Sequence, residues 1–157
     1  MRSGKKMVFE LYPQNAPITV KNFSQLCQKK FYDGLSFHRV VQGYVIQGGS
    51  EDNTCMCPTD FTIEGEFAAN GHDTGLSHSR GALSMARDDD FNSAGTQFFV
   101  VHQDAHKLNG KYAAFGMLVD GFDVLDQIAS VPTDTPEQEN RPFEEQTIQS
   151  IRVSDER

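Results

Sequence analysis

The chain has 157 residues, 38% of them hydrophobic, and a formal net charge of −8. That length allows one domain spanning 1–157 with a substantial core, and the acidic balance argues against nucleic-acid phosphate as a partner. No apolar run approaches the roughly 18–20 residues of a membrane-spanning helix, and the basic MRSGKK start has no apolar stretch behind it, so neither a membrane nor an export signal is expected.

In chain order, residues 8–12 (VFELY) alternate in the manner of a half-buried strand. Pro13 and Pro17 bound a loop, and Thr19 is the expected N-cap of a helix with apolar residues at 20, 23, 26, 27 and 31, ended by Gly34. Further strands are expected at 37–41, 45–47, 61–63, 82–85, 98–101, 114–119 and 147–153. A second, shorter helix falls at 123–129, and the proline- and acid-rich stretch 131–143 is a surface loop. Many short strands with only two helices suggest a closed β structure with helices at its ends. Three cysteines, an odd number, favour reduced thiols and a cytoplasmic setting.

The stretch FHRVVQGYVIQGG (37–49) raises a question of chemistry. A strand that only fills a core has no use for Arg39, and a surface strand has no use for so much Val, Ile, Phe and Tyr. A turn at 42–44 would pair Val41 with Val45 and Arg39 with Gln47, placing two polar side chains opposite each other among apolar neighbours. Alone, that pair fits a solvated strand face better than it fits a groove for a polar ligand.

Two more stretches add to it. RGALSMARDDDFNSAGTQFFVV (80–101) sets Gln97 and Phe99 on one face of a strand by alternation, and HKLNGKYAAFG (106–116) leads from a glycine turn into another. With FHRVVQGYVIQGG and the opening ELYPQNAPITVKNF, these motifs closely resemble the cyclophilin-type peptidyl-prolyl cis-trans isomerases, over about residues 7–153. The resemblance implies a mainly β fold, an eight-stranded antiparallel barrel closed on itself and capped by two helices, with the active groove on its outer wall. Arg39 matches the family's catalytic arginine, Gln47 the glutamine that positions it, and Phe99 the floor of the proline pocket. Tyr44 and Val45 stand where phenylalanine and methionine are usual beside that pocket. Ala86 and Arg87 match the strip that binds peptide backbone, the second often asparagine. Gln97 belongs to the same groove, and Leu108 and Tyr112 match its far wall, where the second is often histidine.

The implied function is isomerisation of X–Pro bonds in peptides and in unfolded or partly folded proteins, by a monomer without metal or cofactor. The alternative is a proline-peptide binding module of the same fold with little turnover. Three departures bear on this. The family usually has a full strand before VFELYP, so the first strand is expected to be shortened or missing. A loop that is glycine-rich in relatives here carries Cys55, Cys57 and Pro58, which leaves a redox or soft-metal role to be weighed against inert thiols. Lys107 stands where tight cyclosporin binders have tryptophan, so weak binding of that drug is expected. Asp88, Asp90 and Asn92 begin a calcium-loop pattern that then fails at Ser93 and Phe99, and His102 and His106 have zinc-pair spacing without the acid between them.

Overall fold

The computed structural model describes residues 4–54 and 61–155. Six strands form one antiparallel sheet: β1 (Val8–Leu11), β2 (Arg39–Val41), β3 (Val45–Gly48), β4 (Ala82–Met85), β5 (Phe98–Val101) and β6 (Ala114–Asp120), in the spatial order β1-β6-β4-β5-β3-β2. Two helices accompany it, α1 (Pro17–Gln28) and α2 (Phe122–Ala129).

The sheet is open, with β1 and β2 at its edges, and this corrects the expectation of a closed eight-stranded barrel. The two strands expected at 61–63 and 147–153 shrink to single bridges, Ile63 with Ala94 and Thr147 with Ser36. The pattern of the last segment explains why. Ile148 is buried and Ile151 packs on the same core, three residues apart. A regular strand would send residues at that spacing to opposite faces. In the first segment only Ile63 reaches the core, while Phe61 stays exposed. Residues 4–7 form no strand, so β1 pairs with β6 alone. At the other edge the loop at 131–143 meets β2, the Val40 N–H donating to the Asn140 carbonyl at 3.1 Å.

Helix α1 begins two residues before the expected N-cap. Pro17 takes the first helical position, where its missing N–H costs nothing. Thr19 therefore lies inside the first turn, and the capping group comes from far along the chain. The buried Glu66 carboxylate accepts both the backbone N–H and the hydroxyl of Thr19 at 2.7 Å. A carboxylate at that end also meets the positive pole of the helix dipole.

The pleat sorts the core into two layers. Ile46, Phe98, Val100 and Leu83 face α1 and α2, where Phe23, Leu26, Phe115, Leu125 and Ile128 fill the space. Phe23 touches the rings of Tyr32, Phe98 and Phe115 at centroid distances of 5.2–5.6 Å. The alternate residues Val45, Phe99 and Val101 point the other way and gather Leu108, Tyr44, Ala86 and Tyr112 into a second, smaller cluster. That outer layer carries the candidate site.

Candidate active site

The β2–β3 hairpin has the register expected from its sequence: Val41 opposite Val45 and Arg39 opposite Gln47. Gln47 in turn faces Phe99 on β5, and Phe99 faces Ser84 on β4. Directly opposed residues share a face, so Arg39, Gln47, Phe99 and Ser84 form one row across four strands. The row puts a cation, an amide and an aromatic floor side by side without any contribution from a flexible loop.

Hydrogen bonds then fix the polar end. Arg39 Nη1 donates to Gln47 Oε1 at 3.2 Å, and Gln47 Nε2 donates to Gln97 Oε1 at 2.9 Å. The two bonds orient the Gln47 amide and hold the guanidinium over the sheet. Beside it opens a cavity of about 130 Å³ lined by Arg39, Tyr44, Val45, Gln47, Ala86, Arg87, Phe99, Leu108 and Tyr112. Every site residue expected from the sequence lines this cavity except Gln97, which reaches it through Gln47. Its size is enough for a small ring.

The walls are held from outside. Tyr112 meets Phe99 edge to face at 5.8 Å. The Arg87 guanidinium lies 4.6 Å from the Tyr112 ring centre, 4.9 Å from that of Phe67 and 5.1 Å from that of Phe91. It also donates to the Lys111 carbonyl from Nε and Nη2 and to the Asp88 carbonyl from Nη1. Where relatives often have asparagine, this chain thus ties three aromatic residues together with one cation. Lys107 Nζ sits 4.5 Å from the centre of the Tyr44 ring. Burial, and then the neighbouring Tyr112, push the Tyr44 phenol above its ordinary value against the opposing charge of Arg39, so the phenol stays neutral.

His78 and Ser84, which brace the Phe99 floor, escaped the sequence reading. His78, fully buried, stacks on Phe99 with centroids 5.9 Å apart and planes 21° apart. Its Nδ1 lies 3.1 Å from Asn109 Oδ1 and its Nε2 2.9 Å from Ser84 Oγ. The carbonyl oxygen of Asn109 can only accept, so Nδ1 carries the proton and Nε2 accepts from the serine. Burial pushes the His78 pKa down, in keeping with a neutral ring. A lone histidine in a polar loop gives no hint of such a place.

The other motifs resolve into local structure. Asp88 accepts the Asp90 N–H and Asp90 the Asn92 N–H, each at 2.8 Å, as turn-forming side chains do. His102 and His106 part company, the first toward Gly43 and Asp126 and the second toward Ser77 and Asn109. Among the described residues no three His, Cys, Asp or Glu side chains gather as a metal site, and no helix is long and apolar enough to cross a membrane. Cys55, Cys57 and Pro58 lie outside the described residues. Cys27 is buried in the core, which pushes its thiol up to about 12.

Comparison with known proteins identifies the family. The family model described as cyclophilin type peptidyl-prolyl cis-trans isomerase/CLD matches residues 1–153. This chain belongs to the cyclophilin family. Among curated cyclophilin-type relatives, peptidyl-prolyl cis-trans isomerase B of Bacillus subtilis is 43% identical over 123 residues, covering 78% of this chain and 82% of that one. Peptidyl-prolyl cis-trans isomerase B of Escherichia coli is 38% identical over 159 residues, covering 95% and 94%. A crystal structure of a Cryptosporidium parvum cyclophilin in the presence of the dipeptide Ala-Pro superposes with a TM-score of 0.85 at 30% identity, over 96% of this chain and 93% of that one. The cyclophilin assignment makes the chain a peptidyl-prolyl cis-trans isomerase.

Proposed function

We propose that this cyclophilin turns X–Pro bonds in peptides and partly folded proteins at the Arg39 row, with the roles of the residues as follows. Amide resonance opposes rotation with a barrier of about 18–20 kcal/mol. Cis and trans forms of an X–Pro bond differ by only about 1 kcal/mol, so the chemical need is speed. In the twisted amide the nitrogen loses resonance and becomes a basic lone pair. A guanidinium held beside it favours the twisted state over the planar one, which is differential binding of the transition state by a preorganised charge. Arg39 supplies that charge, and Gln47, braced by Gln97, aims it. Phe99, Tyr44, Val45, Leu108 and Tyr112 grip the proline ring while the chain on one side turns. Ala86 and Arg87 hold the neighbouring peptide backbone.

The observation that carries this reading is the Arg39–Gln47–Gln97 chain standing in register beside a cavity with Val45, Phe99 and Leu108 in its lining. A site built only to bind proline needs the cavity and not a braced cation next to it. The Ala-Pro dipeptide named with the Cryptosporidium relative supports the same ligand class here. One domain spanning 1–157 accords with it, since all six strands share one sheet.

Exchange between cis and trans forms of an Ala-Pro peptide, followed by NMR exchange spectroscopy with wild type beside Arg39→Ala, tests the proposal. Faster exchange that largely disappears in the variant is the expected result. Peptide shifts without faster exchange would instead make the chain a binding module.

A further inference from the structure

We propose that His102 is a positioning residue for the isomerase site, setting the proline-pocket wall by accepting a hydrogen bond from the turn of the β2–β3 hairpin. That hairpin carries Arg39, Tyr44, Val45 and Gln47. Its first strand is three residues long, lies at the sheet edge and, among the described residues, has β3 as its only partner strand. Its turn is exposed at Gln42 and Gly43, and Gly43 has a left-handed φ of 78°. β3 is held along its length by β5, Val45 lying opposite Val101, so the part of the hairpin outside this pairing is its turn, and an anchor there bears on Gly43 and Tyr44.

His102, immediately after β5, supplies two. Its backbone N–H donates to the Tyr44 carbonyl at 2.8 Å, and its Nδ1 lies 2.9 Å from the Gly43 nitrogen. The Gly43 N–H can only donate, so Nδ1 is the bare nitrogen and the proton sits on Nε2. Nε2 accordingly donates to Asp126 Oδ1 on α2 at 3.0 Å.

The carboxylate behind the ring is itself fixed. Arg80 grips both oxygens of Asp126 at 2.8 and 2.9 Å and donates to the His102 carbonyl at 2.9 Å. Its backbone N–H is taken by Asp104, and its guanidinium lies 5.3 Å from the Phe122 ring centre. The charged groups on this assembly are therefore Asp126, Arg80 and Asp104, and the imidazole between them and the hairpin is 8% exposed. One polar chain runs from α2 through His102 to the backbone of the pocket wall. An imidazole held by a carboxylate on one side and accepting on the other is locked in tautomer and in ring angle.

The anchor acts at one end of the hairpin only. Gly43 adjoins Tyr44, which with Val45 beyond it grips the proline ring in planar and twisted states alike. Arg39 and Gln47 lie at the far end, Gln47 held by β5 and Gln97 and Arg39 held by Gln47. Loss of the anchor should therefore weaken ground-state and transition-state binding equally, raising KM while leaving kcat nearly unchanged.

Three variants separate the two halves of the ring. His102→Asn places an oxygen acceptor near the Nδ1 position and keeps the bond to Gly43. His102→Gln reaches Asp126 with its amide but offers no acceptor to Gly43, and His102→Ala removes both. In Ala-Pro peptide assays, KM is expected to rise roughly five- to tenfold in the Ala and Gln variants, the scale of one lost hydrogen bond, with near wild-type values in the Asn variant. The Gly43 amide resonance should move upfield and exchange faster with solvent in the Ala and Gln variants only. Asn and Gln variants that behave alike, a fall in kcat at constant KM, or a Gly43 amide unmoved in the Ala variant would each overturn the proposal. The kinetic half rests on the isomerase reading. Should wild type itself fail to speed exchange, that reading falls, while the Gly43 amide and peptide affinity still decide the role of His102.

Discussion

At the scale of single residues, the site turns on whether a cation is held where a twisted amide would need it. Arg39→Ala should lower kcat/KM by about 2–4 kcal/mol in free-energy terms, the cost of removing one preorganised donor, in an exchange or protease-coupled assay. Arg39→Lys should recover little of it, because an ammonium cannot keep the planar fork that Gln47 orients. Lys107 bears on a second expectation, weak binding of cyclosporin. Its ammonium lies over Tyr44 at 4.5 Å at the position where tight cyclosporin binders carry tryptophan. A direct titration should give a Kd weaker than about 100 nM, and Lys107→Trp should tighten it. Strand alternation and the 42–44 turn make legible that Arg39 meets Gln47 and that Gln97 and Phe99 share a face, while the reading of these residues as a site comes from the family resemblance. The bracing behind them is not legible. His78, Ser84 and His102 act through tertiary contacts with residues up to 59 positions away, and no local pattern announces such partners.

At the scale of elements, the start of α1 depends on a group that lies outside it. Glu66 is 3% exposed and takes both polar hydrogens of Thr19. Glu66→Ala should destabilise the protein by about 1–3 kcal/mol, since the Thr19 donors would be left buried and unpaired. Urea unfolding should show a lower midpoint at unchanged slope; an unchanged midpoint would mean that water replaces the carboxylate. Thr19 resembles an N-cap in sequence because threonine before an apolar helical period is a common start signal. The signal misled because a proline at position 17 can begin a helix and a distant carboxylate can cap it. The strand at 98–101 matches its expected bounds because its buried FFVV run of aromatic and β-branched residues leaves little choice, and ALSM at 82–85 does so as a wholly buried strand paired on both sides, with β5 and β6. The strands expected at 61–63 and 147–153 fail because a strand needs a continuous partner, and partners are set by topology.

At the scale of the whole molecule, the buried histidines should set how stability responds to mild acid, ahead of the carboxylates. His38 is 3% exposed and lies against Gln97, with neither ring nitrogen in a hydrogen bond of good geometry among the described residues. Burial first, and then the charge of Arg141, push its pKa below the ordinary 6.5, and burial does the same to His78. Both therefore bind protons more readily in the unfolded chain than in the folded one. Stability linked to them is fully present above about pH 6.5 and declines as pH falls from there toward the folded pKa values. The carboxylates act later and separately. Arg80 holds the Asp126 carboxyl below its usual 3.8 and Arg152 does so for Asp33, so their contribution persists until pH falls beneath the ordinary carboxylate range. The denaturation midpoint should accordingly fall between pH 7.5 and 5, well before acid reaches the ion pairs. His78→Asn removes one of the two titrating rings, and its midpoint should change less steeply over that interval than that of wild type, whatever its absolute stability. A wild-type midpoint that is flat from pH 7.5 to 5 would mean that both rings accept protons without unfolding, and the packing of His78 beneath Phe99 would then have to tolerate an imidazolium.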